Sequence, residues 1–286
     1  RKYPAHHERI PIRSRLLCTA VPLALADDLK AGISTTENLM VPKRLALYPG
    51  TASPLAAFGM VCGMVFPILM FPAALLFGLT ELLIPELARC NAAGSRDRIS
   101  HLVRKSLQIA LLYGAACGGV LFLTARELCI SLYGSHEAGQ YLRWFAPLAV
   151  LLYCDAVTDA MIKGLGQQTH SVRYNIITNI MDVALLFLLL PKLGIFGYFL
   201  SFLATHVINY ALSLRRLLYI TKERIGLRTP LLTLFSSIGA VWVASFVPTV
   251  GFRAVAYLVI LLCLLFLLGI LDREDLRWLI GLIRKK

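Results

Sequence analysis

Residues 16–45 read LLCTAVPLALADDLKAGISTTENLMVPKRL, and the fold class turns on how that stretch is understood. It exceeds the roughly 20 residues, at 1.5 Å each, that a helix needs to cross a bilayer. Its ends are apolar, but its middle carries Asp27, Asp28, Lys30, Thr35, Thr36, Glu37 and Asn38. Hydrocarbon tolerates such groups only where they face a bundle interior or a wet cavity. Helical spacing allows that: Asp27 and Lys30 lie three apart and Glu37 lies seven beyond Lys30, so the three share one stripe. Asp28 is turned about 100° from Asp27, which makes the polar sector broad. A surface helix of a soluble protein, or a helix whose charges pair only for packing, would show the same letters. The stretch is read as a cavity-lining helix.

The surrounding chain separates the soluble from the membrane reading. Of its 286 residues, 58% are hydrophobic and 16% charged, against roughly 25% charged in ordinary globular chains. Mean hydropathy is +0.71. The apolar residues come in blocks such as 254–271, not in short periodic faces. A backbone that crosses lipid must satisfy its own hydrogen bonds, so the expected fold is all-α, a polytopic membrane bundle of about eight transmembrane helices. The spans are expected near 16–41, 54–80, 102–124, 144–162, 173–190, 197–214, 231–247 and 254–271.

A net charge of +13 would suit nucleic acid, but its distribution follows the positive-inside rule. With these spans, only Lys43, Arg44, Arg126, Arg143, Lys192 and Arg253 fall on one side of the membrane. The other loops, and both chain ends, collect the rest apart from Lys30. Both termini are therefore expected in the cytosol, and no nucleic-acid partner is implied. The seven cysteines are scattered, with no CxxC or Cys/His cluster, so no metal, cofactor or redox chemistry is assigned. No P-loop, GxSxG or HExxH motif is found, and the chain is not expected to be an enzyme.

Other stretches carry narrower expectations. Pro67 and Pro72 in the second span imply kinks, and Gly59 with Gly63 forms a GxxxG that permits close helix approach. Gly114, Gly118 and Gly119 give the third span a small-residue face. Residues 125–141 are expected along the external surface, with Tyr133 and Tyr141 at the interface. In the fourth span Asp155, Asp159 and Lys163 recur on one face; the carboxylates suit a proton or cation relay, while Asp159 and Lys163 equally suit an ordinary helix ion pair. Asn175, Asn179 and Asp182 share a face of the fifth span, as ligand contacts or interhelical glue. The sixth contains Ser201, Thr205, His206 and Asn209, and a lone histidine there reads as a packed, hydrogen-bonded residue.

Three runs carry a family likeness: PLALADDLKAGISTTENLMVPKRL (22–45), AAFGMVCGMVFPILMFPAALLFGLTELLIPELA (56–88) and SLYGSHEAGQYLRWFAPLAVLLYCDAVTDAMIKGLGQQ (131–168). They resemble the polysaccharide (oligosaccharide) flippase group of the multidrug/oligosaccharidyl-lipid/polysaccharide exporter superfamily, collinearly over roughly 16–220. The resemblance implies two six-helix lobes that rock about a central cavity, often followed by two further helices. On that scheme 1–15 is a cytosolic juxtamembrane segment, 16–220 the second lobe, 221–271 two accessory transmembrane helices and 272–286 an amphipathic cytosolic tail. The first lobe is the missing partner, and a chain that starts without Met is expected to come from something longer.

The implied substrate is a lipid-linked oligosaccharide, a peptidoglycan or spore-cortex precursor, moved across a bacterial cell membrane while its tail stays among the membrane lipids. Lys30 would meet pyrophosphate. Asp27, Glu37 and Asp155 would take a coupling cation or sugar hydroxyls, within a cavity completed by Asn38, Asp159, Asn175, Asn179 and Asp182. Two further readings stay open: half of a cation-coupled drug antiporter, and a non-transporting membrane partner or truncated fragment.

Overall fold

Long apolar runs punctuated by glycine and proline become helices whose breaks sit at those residues. The computed structural model describes residues 12–50, 53–223 and 226–271, with side chains from Asp28 onward. α1 covers Ile12–Leu45. α2 (Pro54–Met60), a π turn (Val61–Val65) and α3 (Phe66–Met70) run into α4 (Ala73–Ala92). α5 (Arg96–Tyr133) is followed by α6 (His136–Phe145), a short 3-10 turn and α7 (Ala149–Gly164). α8 (Gln168–Leu193) and α9 (Ile195–Thr221) make a hairpin, as do α10 (Arg228–Ala244) and α11 (Val250–Leu267). The fold is all-α, with no strand among the described residues.

Helices stand at all eight expected positions. Five segments are long and apolar enough to cross a membrane (α5, α6–α7, α8, α9 and α11), and the bent α2–α4 pair makes a sixth if it counts as one span. α1 and α10 do not meet that measure: α1 has its polar middle, and α10 has 17 residues. The tail 272–286 and the segment 1–11 lie outside the described residues.

The expected kinks are present. A π turn precedes Pro67, and α3 meets α4 at 60° around Phe71 and Pro72. Proline supplies no N–H, which loosens the backbone ladder at the bend, and side chains of later helices reach carbonyls there. Tyr153 donates to the Leu69 carbonyl at 2.8 Å and Tyr113 to that of Pro72 at 2.7 Å. Their rings stack with centroids 5.8 Å apart.

The glycines divide. A Cβ on Gly114 would lie 2.8 Å from the Val150 Cα, and one on Gly118 would lie 3.0 Å from the Ala146 carbonyl. Those two let α5 and α7 approach backbone to backbone. A Cβ on Gly119 would lie 2.1 Å from the Tyr257 ring and hydroxyl. Tyr257 donates to the Ala115 carbonyl at 2.7 Å and sits 2.9 Å from the Ser237 hydroxyl, which docks the α10–α11 hairpin on α5. By contrast, among the described residues nothing lies within 4 Å of a Cβ on Gly59 or Gly63, so no described helix packs closely on that GxxxG.

Residues 125–141 also differ from expectation. α5 continues unbroken to Tyr133 and stops at Gly134, whose φ of 65° is the left-handed cap that glycine adopts most readily. Tyr133 is exposed, but Tyr141 is buried and donates to Glu137 at 2.6 Å. The piece packs into the bundle through Ala125, Cys129 and Ala138, which are buried.

Candidate functional site

The α8–α9 hairpin turns at Gly194 (φ 60°), and a Cβ on Gly197 would lie 2.7 Å from the Leu189 carbonyl. That close approach sets the polar face of α8 against that of α9. α1 packs along α8 and closes a third side. The result is a cavity of about 220 Å³ lined from α1 by Lys30, Ile33, Ser34 and Glu37, and from α8 by Asn175, Thr178, Asn179 and Asp182. α9 supplies Tyr198, Phe202, Thr205, His206 and Asn209. Each set follows the i, i+3, i+4, i+7 spacing of one helical face.

The polar atoms are arranged unevenly. Ser201 donates to the Asp182 carboxylate at 2.5 Å. Asn175 donates to the Ser171 carbonyl at 3.1 Å. Behind the cavity, α7 brings the buried Asp155, which accepts from Asn209 Nδ2 at 3.1 Å and 3.0 Å and lies 3.5 Å from His206 Nδ1. Lys30 is exposed and has no ion-pair partner among the described residues. One end of the cavity meets an aromatic cluster in which Phe145 touches Tyr198, Phe199 and Phe202, with Phe66 completing it.

Of the residues expected at a site, Lys30, Glu37, Asn175, Asn179 and Asp182 come together here, and Asp155 stands directly behind. Asn38 is exposed and does not line the cavity. Asp159 is elsewhere: it pairs with Lys163 at 2.7 Å and accepts from Ser171, so the ordinary i, i+4 ion pair describes it. The side chain of Asp27 lies outside the described residues. His206, read as a packing residue, and Asn209, given no role, are cavity residues too; their signal was the α9 face 198–202–205–209, visible once laid against 175–178–182. Among the described residues no group of three or more His, Cys, Asp or Glu is placed to hold a metal ion.

On the other side of Ile33, α1 and α8 form an open apolar groove of about 860 Å³, walled by Leu29, Ile180, Val183, Phe187 and Leu188. Asp28 and Thr36 also line it, but the Thr36 hydroxyl donates to its own helix at the Gly32 carbonyl, 2.9 Å away.

The profile of the MatE family matches residues 45–188, half of the chain. The chain belongs to the MatE family. Membership, with five or six apolar helices, makes it a multi-pass membrane protein. The matched MatE segment includes the α8 wall of the cavity, whereas nearly all of α1 and the whole of α9 fall outside it. Two relatives from Bacillus subtilis (strain 168) are similar to this MatE protein. Stage V sporulation protein B is 25% identical over 165 residues, which is 56% of this chain and 32% of the relative. Sporulation protein YkvU is 26% identical over 180 residues, 62% of this chain and 40% of the relative. The chain thus aligns with about a third to two fifths of the length of the relatives it matches. No solved structure matches it significantly.

Proposed function

We propose that this chain carries one half of the path of a flippase for an anionic, lipid-linked oligosaccharide of the bacterial cell wall or spore cortex. The observation that carries this reading is the ammonium of Lys30, in one cavity with amides and hydroxyls, between helices embedded in a membrane bundle. An ammonium suits phosphate oxygens. Amides and hydroxyls suit a saccharide, and the apolar groove beyond Ile33 suits hydrocarbon. Both relatives are named for sporulation, which favours a spore or cell-wall precursor. Such movement makes and breaks no covalent bond.

Within this reading residues 16–220 work as one lobe, 221–271 as accessory helices, and both termini face the cytosol. The lobe faces a second one. Asp28, Lys30, Ser34, Thr35 and Asn38 are exposed along α1, and a charge left in lipid at mid-span costs about 2.5–3.5 kcal/mol on insertion scales. A second set of helices, with water between, removes that cost.

The test uses the full-length protein in liposomes with a fluorescent prenyl-diphosphate saccharide, its transbilayer movement read by quencher accessibility. Lys30→Ala should slow flipping by about tenfold or more, the loss of one charge-assisted contact. An unchanged rate would remove Lys30 from the site. The cation-coupled drug antiporter reading draws on Glu37, Asp182 and Asp155 beside Tyr198 and Phe202. Faster export of a lipophilic cation than of the saccharide lipid in the same liposomes would favour it.

A further inference from the structure

Two buried polar atoms at the cavity have no hydrogen-bond partner among the described residues, and both belong to adjacent turns of α9: His206 Nδ1 and Asn209 Oδ1. Asn209 is 6% exposed, and its Nδ2 is committed to both oxygens of Asp155, so its Oδ1 is turned away from that carboxylate. His206 Nδ1 lies 3.5 Å from Asp155 Oδ2, close enough for charge interaction but long for a hydrogen bond. A bare Nδ1 lone pair against a carboxylate oxygen would be repulsive, so the proton of the neutral ring belongs on Nδ1. The exposed part of the side chain, which lines the cavity, then carries Nε2.

From this geometry we infer that His206 is a proton-dependent reader of the ligand's head group: uncharged it presents an acceptor to the cavity, and protonated it presents a charged donor that binds a phosphate oxygen. This rests on the reading of the cavity as an anionic head-group site. Asp155 stands behind the ring, its Oδ2 3.5 Å from Nδ1, placed to act as counter-charge. The Phe202 ring, with its centroid 4.3 Å from that of His206, adds an aromatic surface that favours a cationic imidazole.

The groups around His206 give the effect its sign. α7 contributes Asp155 and Cys154, α8 contributes Asp182, α1 contributes Lys30 and Glu37, and α9 itself contributes Tyr198 and Tyr210. α5, which also touches α9, brings nothing to the lining. Each proton taken up by the ring adds a positive charge beside the head-group cavity, which attracts an anion and equally repels a cation. Proton and phosphate are therefore expected to bind together.

The experiment measures binding of farnesyl diphosphate, with farnesol as the phosphate-free control, to the full-length protein in nanodiscs from about pH 8 to about pH 5.5, the range in which imidazoles change charge. Farnesyl diphosphate should bind on the order of tenfold tighter at the acid end, a usual size for coupling between two ligands. Calorimetry in two buffers of different ionisation heat should show proton uptake on binding by the parent. His206→Gln should flatten the slope and lower the proton uptake well below those of the parent, an effect that loss of packing alone does not produce. Should that variant fail to fold, Asp155→Asn serves: without its counter-charge the rise in affinity should move to lower pH, and an unmoved profile overturns the inference. Preference for the diphosphate with no pH slope, or with the slope retained in His206→Gln, sinks this inference and leaves the head-group reading standing. No preference for the diphosphate at any pH sinks both.

Discussion

A single carboxylate outside the spans shows how local partners set charge. Glu223, in the connector after α9, accepts from the Ser100 hydroxyl and from Arg104 Nε at 2.9 Å, tying α9 to the start of α5. The Ser100 hydrogen bond first, then Arg104, holds its carboxyl below the usual carboxylate range. A group with a lowered folded-state value adds stability above its unfolded value, and loses it as pH falls through the lowered one. Glu223→Gln should therefore lower the thermal midpoint at neutral pH and make progressively less difference on strong acidification. A difference that stays constant with pH would exclude the linkage. The same scale shows what sequence conceals. Asp155 and Asp159 are equivalent on a helical wheel, yet one stands behind the cavity and the other closes an ion pair with Lys163. Only the neighbours supplied by α9 and by the start of α8 tell them apart.

At the level of helices, pattern and punctuation carried most of the information. Apolar blocks located a helix at every expected span, and Pro67 and Pro72 located the break within the second. Glycine spacing was ambiguous because its meaning depends on what lies opposite. Gly114, Gly118 and Gly119 meet α7 or Tyr257, while Gly59 and Gly63 meet open space. The notch at Gly119 makes a sharp prediction. Gly119→Ala places a methyl where the Tyr257 hydroxyl sits and should destabilise the docked hairpin by about 1–3 kcal/mol, as overpacking does. Thermal unfolding in detergent checks it, and Tyr257→Phe combined with Gly119→Ala should cost less than the two changes summed if they share this contact. Gly59→Ala, made as a control, should leave the midpoint within about 0.5 kcal/mol, the usual range for surface changes.

For the whole molecule, two of the three residues of the stripe in 16–45, Lys30 and Glu37, line one cavity, while the side chain of the third, Asp27, lies outside the described residues. The opposite wall was harder to see, because α9 interleaves its polar residues with phenylalanine and tyrosine and reads as an aromatic packing helix. A cavity is a property of three helices together, and none of the three sequences states it alone. The exposed polar face of α1 sets the prediction at this scale. Ser34→Cys in the full-length protein should react with a membrane-impermeant thiol reagent, and Leu39→Cys, also exposed on α1 but apolar, should react at least several-fold more slowly. Equal rates would mean that water does not follow the polar stripe.

The elbow between α3 and α4 also bears on how the protein is made. Its carbonyls at Leu69 and Pro72 are met by hydroxyls from Tyr153 and Tyr113, both of which lie later in the chain. When α2–α4 is synthesised neither hydroxyl yet exists, and the Pro72 carbonyl has only the long bond from the Leu75 N–H at 3.4 Å. These two hydroxyls join the elbow only when α5 and then α7 follow. The hydrogen bonding of the bend is completed from downstream.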